Sequence, residues 1–359
     1  MVGGRPKVRA DIALRSGYHS PQIDVRVRLN TNEAPTAPPA GFDAALHRAL
    51  DEIQWHRYPD RSASALRRGL ADRYDRSPRE VFVANGSNEV LQTIMLTFGG
   101  AGRTAAVFEP TYALHSHISK TTGTEVVEGF RAEDFSLDLD EVRRVIETHE
   151  PDVLFLCSPN NPSGVVDPPD TVDAVVELMS GTDGLLVVDE AYGQFAPSSA
   201  ATKIDDDVPL VVSRTFSKTW SMAAARLGYL LAPEWIVDEL DKVVLPYHLD
   251  SFKQAAGLAA LEFGSAMDER VALIVEERGR LLSRLQDLPV TTWESGANFF
   301  LFRADSMSGD ELWQALVDRS ILVRNCASWP RLEGCLRVTI GTPKENDLFL
   351  EALTEILGA

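Results

Sequence analysis

The chain has 359 residues, enough for one large or two modest domains. Its composition, 44% hydrophobic and 25% charged, is that of a globular protein. The net charge of −18 excludes nucleic acid and anionic membrane as main partners, since both require a basic face, and means that any anionic ligand must be met by local arginines.

Residues 1–40 are irregular and rich in Arg and Pro, and read as an extended arm. They lack the apolar run of a secretory signal, and no later stretch approaches the ~20 apolar residues of a membrane helix. With three cysteines in no paired framework (Cys157, Cys326, Cys335), a cytoplasmic protein with reduced thiols is expected. Helices are predicted at about 41–54 and 62–75. Apolar runs then alternate with helical stretches: VFVA (81–84), TAAVF (104–108), TEVVEGF (124–130), DVLFLC (152–157), GLLVVD (184–189), PLVVS (209–213) and LGYLLA (227–232). Such runs indicate an α/β fold with a seven-stranded, mostly parallel sheet covered on both faces, in a large domain spanning 41–255. One long helical stretch at about 250–287 follows. Shorter strands at 298–303, 321–325 and 336–341, with two more helices, predict a small α+β domain over 256–359.

Ligands of open α/β sheets bind beyond the carboxyl ends of the strands. Five strand ends carry unusual chemistry: NGSNE after 84, EPTY after 108, SPNNPSG after 157, EAYG after 189 and RTFSK after 213. Gly86-Ser87-Asn88 opens a helix, which suits either an anion cradle or an ordinary N-cap. Asp189 ends an apolar strand, where a carboxylate needs a cationic or hydrogen-bonding partner, unless it only caps the next turn. Lys218 alone among seven lysines directly follows a core strand, set among hydroxyl residues. Partial desolvation would make its amine a usable nucleophile. An anion cradle, an acid able to pair with a ring nitrogen and an amine for an aldehyde are together what pyridoxal 5′-phosphate requires. Neither GxxxxGK[ST] nor GxGxxG follows the first strand, and no metal-ligand spacing is present.

The motifs RLNTNEAP (28–35), RYPD (57–60), ANGSNE (84–89), SPNNPSG (158–164), VDEAY (188–192), RTFSK…R (214–226) and LRVTIGTPKEND (336–347) span almost the whole chain. In this order they resemble the fold-type-I pyridoxal-phosphate aminotransferases, and within them the histidinol-phosphate aminotransferases. The resemblance implies that Lys218 holds the cofactor and shuttles the substrate proton. It implies that Asp189 keeps the pyridine nitrogen protonated, and that Asn161 and Tyr192 bond the 3′-oxygen. Tyr112 would stack on the ring. Gly86, Ser87, Asn88, Ser217 and Arg226 would hold the phosphate, joined by Tyr58 from the neighbouring subunit of a homodimer with shared sites. Arg337 and Arg324, with Asn161 and an N-terminal tyrosine at Tyr18, would contact the substrate, and two arginines suit a phosphate dianion. An amino donor and a keto acceptor, both small molecules, are the implied partners.

The chain departs from the family at Ala34, Trp220 and Ala223-Ala224-Ala225, and it places Trp329 near the arginines. These departures leave the side-chain pocket open. Action on aromatic or other amino acids, and a phosphoamino-acid decarboxylase on the same scaffold, are the alternatives; a non-enzymatic regulatory domain is a third. His19, His56, His115 and His117 read as packing or surface residues.

Overall fold

The computed structural model describes residues 6–9, 12 and 22–358. The arm contributes a short strand, β1 (Val27–Leu29), and leads to helices α1 (Phe42–Asp51) and α2 (Ser64–Tyr74). The alternating region follows as β2 (Val81–Ala84), α3 (Ser87–Phe98), β3 (Thr104–Glu109), α4 (Leu114–Thr121), β4 (Glu125–Phe130), α5 (Leu139–His149), β5 (Val153–Cys157), α6 (Pro169–Ser180), β6 (Leu185–Asp189), β7 (Leu210–Thr215) and β8 (Gly228–Leu231). These strands form one sheet in the order β2-β8-β7-β6-β5-β3-β4. Every pairing is parallel except the two made by β8. Val81 and Val83 enter one core cluster while Phe82 and Ala84 enter another. Leu186 and Val188 divide from Leu185 and Val187 in the same way. Both faces of the sheet are therefore buried, which is why its central strands are continuously apolar. The edge strand β4 carries Glu125 and Glu128 instead, and such charges protect an open edge from further pairing.

The second half comprises α7 (Glu234–Val243), α8 (Ser251–Leu261), α9 (Gly264–Leu285), β9 (Val290–Thr292), β10 (Phe299–Ala304), α10 (Gly309–Asp318), β11 (Ile321–Asn325), β12 (Cys335–Thr339) and α11 (Pro343–Leu357). Its sheet has the order β1-β11-β12-β10-β9, so the arm strand completes the C-terminal sheet. Among the described residues no helix is long and apolar enough to cross a membrane, and no group of side chains could hold a metal ion.

The helix expected at 250–287 is two helices. Phe263 leaves helical geometry at φ −111°, and its ring turns edge-on to Phe42 of α1 at 6.5 Å. Gly264 then restarts the helix where a Cβ would meet the Arg73 guanidinium. The Phe263–Phe42 contact anchors the junction between α8 and α9 on the N-terminal helix pair, against which α8 packs.

In the large sheet, Cys157 lies beside Asp189 and Asp189 beside Ser213. The parallel register brings the carboxyl ends of β5, β6 and β7, and with them the SPNNPSG, EAYG and RTFSK segments, to one edge.

Candidate active site

At that edge lies a cavity of about 370 Å3, and Lys218 projects into it. Lys218 Nζ donates to the Thr31 carbonyl of the arm at 3.1 Å and stands 5.7 Å from the centre of the Tyr192 ring. Its pKa falls to about 7, first through burial and then through the nearby Arg337 and Arg226 guanidiniums, with Glu33 opposing them. The ammonium form is thereby disfavoured, and the amine gives up its proton far more readily than an ordinary lysine does.

One wall of the cavity is the start of α3. Its N-cap is Gly86, at φ 85°, and no side chain caps the helix. The capping role that Ser87 or Asn88 could have taken is thus not used, and both line the cavity at the first turn of the helix. Glycine suits this position, because a φ of 85° strains any residue with a Cβ, and a Cβ would also crowd Arg226 Nη2 at 3.1 Å. Arg226 itself holds a left-handed backbone at φ 52° and donates to Ser217 Oγ at 3.3 Å. Ser217 Oγ also accepts from Thr215 Oγ1 at 3.0 Å. Helix start, hydroxyl and guanidinium converge on one spot, as a phosphate group demands.

Asp189 is 1% exposed at the cavity floor. One carboxylate oxygen accepts from the Ala191 N–H at 3.0 Å, and the other lies 3.0 Å from His115 Nε2. The packing role expected for His115 is correct but incomplete: its ring stacks on Phe155 at 4.7 Å, and the stack aims Nε2 at Asp189. No sequence spacing joins residues 115 and 189; the proximity of β3 and β6 across β5 does.

Tyr192 is buried, accepts from Asn32 Nδ2 at 2.9 Å and packs edge-on to Phe299. Burial pushes its phenol up to about 12, against the opposing influence of Arg337 and Asn32. Asn161 and Tyr112 line the same cavity, and the Tyr112 hydroxyl donates to Asn88 Oδ1 at 3.2 Å.

A second cavity of about 150 Å3 adjoins the first, sharing Thr31, Tyr112, Asn161, Tyr192 and Lys218. Its far end holds Arg324, Arg337 and Trp329. Arg324 and Arg337 are direct cross-strand partners on β11 and β12. Arg337 is 6% exposed, donates to Asn161 Oδ1 and to the Asn30 carbonyl, and keeps a buried Nε with no partner among the described residues. Trp220, by contrast, faces the protein core, tilted against Phe216 with Arg73 over its ring. Tyr58 lies outside both cavities, 79% exposed and stacked on Tyr247 at 4.4 Å. Tyr18 lies outside the described residues.

Two residues that sequence reasoning passed over support the site. Asn32, 1% exposed with φ 54°, bonds Tyr192 and Thr339. Arg270 of α9 donates to the Thr219 carbonyl, Thr36 Oγ1 and the Ala37 carbonyl, tying the arm to the loop that carries Lys218. Elsewhere in the core Arg214 pairs with Glu190, and their only sequence signal is charge beside apolar strands. These residues fit pyridoxal 5′-phosphate: an amine whose ammonium form burial disfavours, a buried hydrogen-bonded carboxylate and a helix start with no side-chain cap face one cavity of suitable size.

Comparison with known proteins gives the same direction. The family model described as aminotransferase class I and II matches residues 25–353. A histidinol-phosphate aminotransferase of Frankia casuarinae is 44% identical over 95% of this chain and 88% of its own length. One from Mycolicibacterium smegmatis is 42% identical, covering 98% and 93%. The crystal structure of histidinol-phosphate aminotransferase from Sinorhizobium meliloti in complex with pyridoxal-5′-phosphate matches with a TM-score of 0.87 at 23% identity, covering 100% of this chain and 99% of that one.

Proposed function

The chain belongs to the aminotransferase class I and II family, and from that premise we propose that it exchanges an amino group between glutamate and imidazole-acetol phosphate, the histidinol-phosphate aminotransferase reaction. Pyridoxal 5′-phosphate is its cofactor, and when bound supplies an aldehyde and an electron-withdrawing ring that store the amino group between half-reactions. Lys218 would attach it and carry the proton between the substrate Cα and the acceptor carbon. Asp189, steadied by His115, would face the ring nitrogen. Asn161 and Tyr192 would bond the ring oxygen, and Tyr112 would cover the ring face. Ser87, Asn88, Ser217 and Arg226, around Gly86, would hold the phosphate.

The observation that carries the substrate assignment is the Arg324/Arg337 pair. Like charges directly opposed across two strands are unfavourable in themselves. A dianion between them reverses the sign, and guanidinium forks match phosphate oxygens. Imidazole-acetol phosphate places its phosphate where an amino acid has its α-carboxylate, so Arg337 can serve both substrates while Arg324 favours the phosphorylated one. Trp329 on the cavity wall favours the second reading, an aromatic acceptor, but Trp220 lies in the core and gives it no support.

The reading further includes a homodimer with shared sites. Trp55, Tyr58, Leu245, Tyr247 and Phe252 are all exposed, and they pair as Trp55–Phe252 and Tyr58–Tyr247. A second copy covering this aromatic surface would bring its Tyr58 toward the phosphate end of the cavity.

The test is a half-reaction screen. Holoenzyme charged with glutamate is mixed with phosphorylated keto alcohols, phenylpyruvate and other 2-oxo acids, and amino products and carbon dioxide are measured. Amino transfer to the phosphorylated acceptor is expected. Preference for phosphate-free acids would reject this substrate while sparing the family assignment; in a parallel arm, carbon dioxide release when holoenzyme not charged with glutamate is given a phosphoamino acid would favour the decarboxylase alternative.

A further inference from the structure

Trp329 follows β11 in the segment NCASWP, in a turn closed by its N–H on the Cys326 carbonyl at 2.9 Å and by the Leu332 N–H on its own carbonyl at 3.2 Å. The ring packs on a small buried cluster that includes Phe135, Leu301 and Leu332. It also borders the second cavity, where the Arg324 guanidinium stands 5.4 Å from its centre. Each arginine has a contact that can set its direction. Arg337 is fixed from within the protein by Asn161 and the Asn30 carbonyl. Arg324 sits on the half-buried end of its strand and has an aromatic face against its head group.

We propose that Trp329 is a positioning residue for substrate selection: its ring holds Arg324 toward the cavity, opposite Arg337, so that the pair is set for a phosphate dianion before substrate arrives. The inference deepens the reading of the acceptor as a phosphorylated keto compound and rests on it. Its physical basis is preorganisation. A long, flexible arginine loses rotamer freedom when it grips a ligand, and a guanidinium already held on an aromatic face loses less. A monoanionic carboxylate can be satisfied by the fork of Arg337. A phosphate needs donors on two sides and gains from the second arginine. The ring therefore acts on binding of the phosphorylated substrate, with little part in the proton transfers at Lys218.

The experiment compares wild type, Trp329→Ala and Trp329→Phe as cofactor-loaded enzymes, with KM and kcat measured separately for glutamate and for the phosphorylated acceptor. Trp329→Ala is expected to raise KM for the phosphorylated acceptor about ten-fold, the scale of a lost partly desolvated cation–π contact. The rise for glutamate should be several-fold smaller, and kcat should fall less than KM rises. Trp329→Phe keeps a flat face for the guanidinium and should recover most of the loss. Equal losses for both substrates, or no recovery with Phe, would overturn the proposal and leave Trp329 a structural residue. A phosphorylated-acceptor KM that stays at the wild-type value in Trp329→Ala would overturn it too. If wild type itself ignores phosphorylated acceptors, the substrate reading falls and this inference with it; if wild type prefers them and the variants do not differ, only this inference falls.

Discussion

A lysine amine attacks an aldehyde only when neutral, and an ordinary lysine is neutral only near pH 10. Burial among the cationic groups Arg337 and Arg226 brings Lys218 to about 7. Because both influences disfavour the ammonium, the reactive fraction rises as pH increases through 7 and levels off above 8. The rate at which apoprotein captures added cofactor should follow that curve, with a midpoint near 7. Arg337→Gln removes one of the cations and should move the midpoint upward. A capture rate still climbing between pH 8 and 10 in the wild type would contradict this description of the amine. Lys218 and Asp189 were legible in the sequence because a charged residue at the end of an apolar strand is costly without a role. His115 was not, because its part in the site depends on a contact 74 residues away that only the strand order creates.

The strands of the large sheet could be read from their apolar runs, since burial on both faces removes polar residues from them. The three-residue strands β1 and β9 carry too few positions for a period and went unread. The break between α8 and α9 also escaped, since Phe263 continues the helical apolar pattern while its ring is used for docking on α1. At this scale the arm is a structural part of the site: Thr31 accepts from Lys218, Asn32 holds Tyr192, and Arg270 fastens residues 36 and 37 to the Lys218 loop. Arg270→Ala removes three such bonds, each worth roughly 1 kcal/mol net, and should destabilise the protein by about 3 kcal/mol. Hydrogen exchange should quicken in the arm and around residue 219 while the central strands stay protected. Unaltered exchange in the arm would show that Arg270 does not hold it.

At the scale of the molecule, an acidic chain with a net charge of −18 gathers Arg226, Arg324 and Arg337 around one cavity system. That concentration of positive charge opposes the overall field and fits a site that takes two phosphates, one on the cofactor and one on the substrate. The exposed aromatic surface around Tyr58 and Tyr247 is expected to make the protein a dimer. Mass measurement in solution should give twice the chain mass, and Tyr247→Asp should shift it toward the monomer; a monomeric wild type would remove the shared-site reading. Phosphate preference is the property that the paired arginines most directly imply. The most direct measurement is kcat/KM of the glutamate-charged enzyme for imidazole-acetol phosphate against the same ketone without its phosphate. A preference of about 100-fold or more for the phosphorylated acceptor is expected, because charge-assisted bonds from two guanidiniums are lost together. Equal rates, or faster reaction with the phosphate-free ketone, would contradict it.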